Sequence, residues 1–144
     1  MTLAGQLDIP VIGPETAAGK NHARAEWAVT GVCDILRTGV TDVGGITLAI
    51  KTLKTLHLAE ALNMDCEVHG GGSGNLALFG GSTASRWYER GLLHPHTDHD
   101  EPPPHLRSII DPMDGRGVVP LPQAAGLGDD YDLEYIAART LTRW

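Results

Sequence analysis

No stretch of this chain approaches the roughly 18 uninterrupted apolar residues of a membrane-spanning helix, so no transmembrane helix is expected. The first ten residues have no basic run, no sustained apolar segment and no small-residue cleavage site. No secretory signal is expected there, and the chain reads as cytoplasmic. Positive charge is scarce: 11 Lys and Arg stand against 18 Asp and Glu, a net charge of -7 with no basic cluster. That balance argues against a nucleic-acid or anionic-membrane surface. Cysteine is scarcer still. Cys33 and Cys66 sit in apolar segments without C-x-x-C spacing and are expected as reduced core thiols, not as a disulfide or metal pair.

What is present is a rhythm of short apolar runs and amphipathic stretches. Leu7 to Glu15 is a brief apolar segment stopped by Gly and Pro, which suits a buried parallel strand with Glu15 at its C-terminal end. Asn21 to Val32 has Ala23, Trp27, Ala28 and Gly31 at helical spacing, and Cys33 to Thr38 reads as a second strand. Gly44-Gly45 opens a long amphipathic helix with Leu48, Ile50, Leu53, Leu56, Leu58, Ala59 and Leu62 apolar, closed by Asn63 ahead of a strand at Cys66 to His69. Lys51 to Leu56 is a three-residue tandem duplication, which would rotate a helical face by about 60° and make one end of the helix adjust. After Gly70-Gly-Gly72, a short helix through Asn75, Leu76, Leu78 and Phe79 leads to a last strand, Ser85 to Glu89.

The strand ends fall at Glu15, Thr38 to Gly39, His69 and Glu89, at intervals of 24, 30 and 20 residues. Right-handed βαβ crossovers put all such ends on one face of a parallel sheet, where α/β enzymes bind their ligands. An open doubly wound sheet would give the same convergence as a barrel, and 144 residues are too few for a complete (β/α)₈ barrel of about 250. We divide the chain into a half (β/α) barrel over 1–92 and a Pro/Gly-rich segment over 93–144. The latter is expected to hold a strand at Val118 to Leu121 and a terminal helix from Leu133 capped by Asp132.

Four side chains on that face are candidates for chemistry. Glu15 offers the oxygen ligand that Mg²⁺ prefers, although a solvated loop glutamate would look the same. His69, followed by three glycines in open surroundings, suits general acid/base work; its ordinary alternative is a packed structural histidine. Glu89 follows Trp87 and Tyr88, whose burial could raise its pKa and let it donate a hydrogen bond. The alternative is a salt bridge to Arg86 or Arg90. Arg37, one residue before the second strand's end, is a weaker candidate for holding an anionic substrate. His94, His96 and His99, with His105 beyond, use residue types found in zinc sites, but a Pro-rich setting seldom supplies the rigid surroundings such a site needs.

The same residues resemble the mandelate racemase and muconate lactonizing branch of the enolase superfamily. Ile9 to Glu15 resembles that family's fifth barrel strand, which ends in a metal-binding glutamate, and Gly44-Gly-Ile-Thr47 looks like the turn after the sixth. Val68-His69-Gly70 is similar to the end of the seventh, with its catalytic histidine, and Trp87 to Arg90 to the surroundings of the glutamate on the eighth. Val119 to Gly128 looks like the closing segment that returns to the capping domain. The resemblance implies the C-terminal half of a (β/α)₈ barrel, strands five to eight. It also implies abstraction of a proton α to a carboxylate and an enediolate stabilised on Mg²⁺, with Glu15 as ligand, His69 as acid/base and Glu89 as hydrogen-bond donor.

Two departures shape the expectation. Where members with an Asp-His dyad carry the aspartate, this chain has Gly39, so His69 should be better at protonating a leaving hydroxyl than at abstracting an α-proton. Asp34 to Thr38 followed by Gly-Gly-Ile-Thr instead resembles the mannonate and gluconate dehydratase type, which points to dehydration of a sugar acid, with racemisation or epimerisation of a 2-hydroxy acid as the alternative. Nothing corresponds to strands one to four, which in the family bring two further metal carboxylates, a lysine-containing base and the cap. The chain would then work with a missing N-terminal half, self-associate to cover its open edges, or be a noncatalytic fragment.

Overall fold

The computed structural model describes residues 2–16, 21–40, 46–90 and 100–142. The glycine pair at 44 and 45 and the cluster of His94, His96 and His99 lie outside them. Three parallel strands, β1 (Ile12–Gly13), β2 (Ile35–Thr38) and β3 (Asp65–Val68), lie in sequence order, with α1 (Asn21–Thr30) and α2 (Ile46–Ala61) as the crossovers. Ile12 pairs with Ile35, and Ile35 to Thr38 pair with Asp65 to Val68. β1 is shorter than the apolar run around it because Pro10 and Pro14, which have no N–H, flank it. Beyond β3 come α3 (Ser73–Phe79) and, in the tail, α4 (Leu133–Arg139).

Alternation along the strands assigns the two faces of the sheet. Leu36, Cys66 and Val68 point into the core, where they meet Leu56 and Ala59 of α2 and Leu78 of α3, with Trp27 of α1 packed alongside, and Thr38 is buried in the same alternation. Ile35, Arg37, Asp65 and Glu67 stand half-buried on the other face. Burial pushes the Cys66 thiol up to about 12 and raises that of Cys33, so both sulfurs stay as unreactive thiols inside the core.

The duplicated Lys51 to Leu56 segment does not interrupt α2. The helix absorbs it by turning threonines inward: Thr52 and Thr55 are buried and give their hydroxyl protons to the Gly39 and Lys51 carbonyls, at 3.2 Å each, while Ile50 and Leu62 remain exposed. Asn63 ends the helix at φ 54°, in the left-handed region that Asn tolerates.

Two expected strands do not form. Ser85 to Glu89 runs beside β3, but after one backbone bond, Cys66 N to Ala84 O at 2.9 Å, side chains take over. The Ser85 hydroxyl accepts from Val68 N and the Glu67 carboxylate from Trp87 N, and both displace ladder partners. Val118 to Leu121 is also irregular, because Asp114 closes a turn there by accepting from the N–H groups of Arg116 and Val118 at 2.9 Å. Asp132 caps α4 by accepting from Tyr135 N at 2.9 Å.

At Gly13 a Cβ would lie 2.9 Å from the Trp27 ring. Gly13→Ala is therefore expected to lower stability by about 1–3 kcal/mol. Urea unfolding followed by Trp fluorescence checks this, and an unchanged midpoint would show that α1 is less tightly seated on β1 than described.

Candidate active site at the strand ends

The C-terminal ends of β1, β2 and β3 and the irregular segment from Ser85 bring Glu15, Arg37, His69 and Glu89 into one charged cluster. Arg37, the last residue but one of β2, is its hub: Nε donates to Glu15 Oε2 at 3.0 Å and an Nη donates to Glu89 Oε2. Arg37 is 17% exposed against 46% for Glu15 and 30% for Glu89, so the cation sits deepest with the carboxylates toward solvent. His69 Nε2 lies 3.6 Å from the other oxygen of Glu15. All four sequence candidates therefore meet, and Glu89 pairs with neither Arg86 nor Arg90. Arg86 bonds Asp65, and Arg90 bonds Asp100 and Asp111.

The expected elevation of the Glu89 pKa is reversed. Partial burial does push it up, but the Gly70 N–H at 3.2 Å and the Arg37 guanidinium stabilise the carboxylate more strongly and bring it below its ordinary value of 4.5. Glu89 is thus an ionised acceptor at neutral pH in this chain, not a hydrogen-bond donor. A group with a depressed folded-state pKa adds stability that is complete above its unfolded pKa and lost as pH falls through the folded one. The stability difference between the chain and Glu89→Gln should accordingly be constant near neutrality and shrink below about pH 4.5. Denaturant titrations at several pH values read this directly, and a difference independent of pH would mean that Glu89 is not held as described.

Two residues that hold the cluster were not marked as functional in the sequence. Arg24 of α1 is 1% exposed and donates from Nε to the Arg37 carbonyl and from Nη2 to the Glu15 carbonyl, both at 2.6 Å, so one guanidinium clasps the ends of β1 and β2. Its position, three and four residues before Trp27 and Ala28, places it on the same inward stripe of the helix, and that was the available signal. Tyr88 accepts from Gly72 N and donates to Asp111, at 2.7 Å each, tying the glycine turn to the tail. Its hydroxyl is pushed well above the ordinary range, first by burial and then by the Asp111 bond, and stays protonated.

The other end of the sheet is different in kind. An open cavity of about 490 Å³ there is lined by Asp34, Glu60, Asp65 and Arg86 among others, but Glu60 is occupied by Ser82 and Thr83, and none of the four candidates borders it. Among the described residues no three His, Cys, Asp or Glu side chains form a metal-holding group, and no helix is long and apolar enough to cross a membrane.

A family model described as Enolase C-terminal domain-like matches residues 1–136. Of solved structures, D-glucarate dehydratase from Agrobacterium tumefaciens complexed with magnesium is 53% identical, with a TM-score of 0.88, over 94% of this chain and 35% of its own. A putative racemase from Roseobacter denitrificans shares the fold at 16% identity and a TM-score of 0.68, over 94% of this chain and 37% of its own. No curated protein matches. The chain thus spans little more than a third of either structure's length. It belongs to the enolase C-terminal domain-like family, in the mandelate racemase and muconate lactonizing branch of the enolase superfamily, and its α/β fold is part of that family's barrel.

Proposed function

We propose that the chain carries part of the active site of a Mg²⁺-dependent sugar-acid dehydratase acting on D-glucarate or a close relative, in the cytoplasm. The observation that carries this reading is the convergence of Glu15, Arg37, His69 and Glu89 on one sheet end, in a chain 53% identical to a D-glucarate dehydratase. Each residue has a role that its geometry supports. The Arg37 guanidinium is oriented by two carboxylates, and its second Nη has no partner among the described residues, so it can receive a substrate carboxylate. His69, partly exposed beside Glu15, can hand a proton to the departing hydroxyl. Glu89 and Gly70 N–H hold Arg37 and the glycine turn together.

Glu15 fits Mg²⁺ as a single ligand, being an exposed carboxylate at a strand end, and the other oxygens would come from outside the described residues. When bound, the ion would stabilise the negative charge that develops on the substrate carboxylate. The sheet face bearing Arg37, Asp65 and Glu67 requires a partner under this reading: a complementary barrel segment, or a second copy of the chain. A complementary segment is the better fit, because it would also bring further metal ligands.

The test is a chimera in which this chain replaces the matching segment of the Agrobacterium tumefaciens enzyme, incubated with Mg²⁺ and either D-glucarate or a chiral 2-hydroxy acid. A keto acid one water lighter than D-glucarate supports dehydration. Inversion of the 2-hydroxy acid without loss of mass would replace that reading with the racemase one.

A further inference from the structure

We infer that Asn75 is a positioning residue that sets where His69 stands relative to Glu15. The inference rests on the dehydratase reading for what His69 does, and on geometry for everything else. Asn75 is 2% exposed, on the first turn of α3. Its Nδ2 donates to the carbonyls of His69 and Gly70 at 2.9 Å and reaches that of Gly71 at 3.4 Å, while its Oδ1 accepts from Val40 N at 3.0 Å. One amide thereby joins the turn leaving β2 to the turn leaving β3.

The atoms it holds explain why an asparagine stands there. A side chain that must accept from one turn and donate to another, while buried, needs both halves of a carboxamide; an aspartate would turn a charge toward three carbonyl oxygens, and a leucine would leave four polar groups unmet. Two glycines of this turn have positive φ, Gly70 at 82° and Gly72 at 105°, so its backbone has freedom that bonds from side chains must remove. His69 N bonds the Thr38 carbonyl at 2.6 Å, which fixes one end of the residue, and Asn75 fixes the other. Between them the imidazole is placed with Nε2 3.6 Å from Glu15. Gly70 is meanwhile gripped at its N–H by Glu89, so a shift of this turn would move His69 and Glu89 together.

The experiment measures the communication between Glu15 and His69 in the full chain by NMR of the histidine ring signals, in the wild type, Glu15→Gln, Asn75→Ala and the double variant. His57 of α2, whose ring bonds the Gly81 carbonyl and not the cluster, serves as an internal reference. Glu15→Gln is expected to displace the His69 ring signals, and in the Asn75→Ala background the same substitution should displace them at least about threefold less. A role confined to stability would lower the unfolding midpoint and leave that displacement intact, and this result overturns the inference. So does a wild-type His69 signal that ignores Glu15→Gln. If Asn75→Ala does not fold, Asn75→Asp replaces it, keeping the acceptor for Val40 while losing the donor. No turnover enters the measurement, so failure of the clamp and failure of the dehydratase reading are told apart.

Discussion

Arg24→Met is expected to remove about 3–5 kcal/mol of stability, which for a domain of ordinary stability is much of the total. A methionine replaces the stem of the side chain but neither of its donors. The Glu15 and Arg37 carbonyls, each now bonded at 2.6 Å, would face a buried site without a partner. A charge-assisted bond contributes about 1.5–3 kcal/mol, and an orphaned buried acceptor costs about as much. Replacing a whole buried ion pair with apolar groups can be harmless, but here only the donor goes and the acceptors stay. Arg24→Lys should fall between, since one ammonium cannot span two carbonyls in the fork that a guanidinium makes. Guanidinium unfolding by far-UV circular dichroism reads the loss. A midpoint within about 1 kcal/mol of wild type would show that the strand ends do not depend on this clasp.

Arg37→Met is expected to lower kcat/KM of the chimera by about 100-fold, or about 2.7 kcal/mol of transition-state stabilisation. Among the described residues, Arg37 is the one cation bonded to both Glu15 and Glu89. Without it two like charges share the strand ends, both carboxylates turn toward water, and the substrate loses its guanidinium partner. Arg37→Lys should recover little, because its single ammonium must choose between the carboxylates. Steady-state kinetics on D-glucarate provide the check, and a change below about threefold would remove Arg37 from the site.

What could be read in the sequence follows from what repeats. Strand ends recur at regular intervals, so Glu15, His69 and Glu89 could be placed together from spacing alone, and the structure joins them through Arg37. Residues that act from beneath do not repeat. Arg24 and Asn75 read in sequence as ordinary helix positions, because a buried arginine or asparagine differs from an exposed one only in tertiary partners that sequence does not show. Thr52 and Thr55 likewise occupy inward positions that an apolar pattern assigns to leucine. The expected last strand does not form for a related reason: Ser85 and Glu67 answer backbone groups with side chains, a competition that strand propensity ignores. The Glu89 shift runs opposite to the sequence expectation because Trp87 and Tyr88 are its neighbours in sequence, whereas Gly70 N–H and Arg37 come to it from other elements.

We propose acid/base chemistry on a sugar acid at this cluster, and the initial rate of D-glucarate loss by the chimera, with and without His69→Gln, tests it most directly. Glutamine keeps the approximate size of the imidazole and cannot deliver its proton. A Mg²⁺-dependent rate in the chimera is expected to fall by about 10²- to 10⁴-fold in His69→Gln, with KM changed by only a few-fold. Equal rates in the two proteins, with both folded, would contradict it.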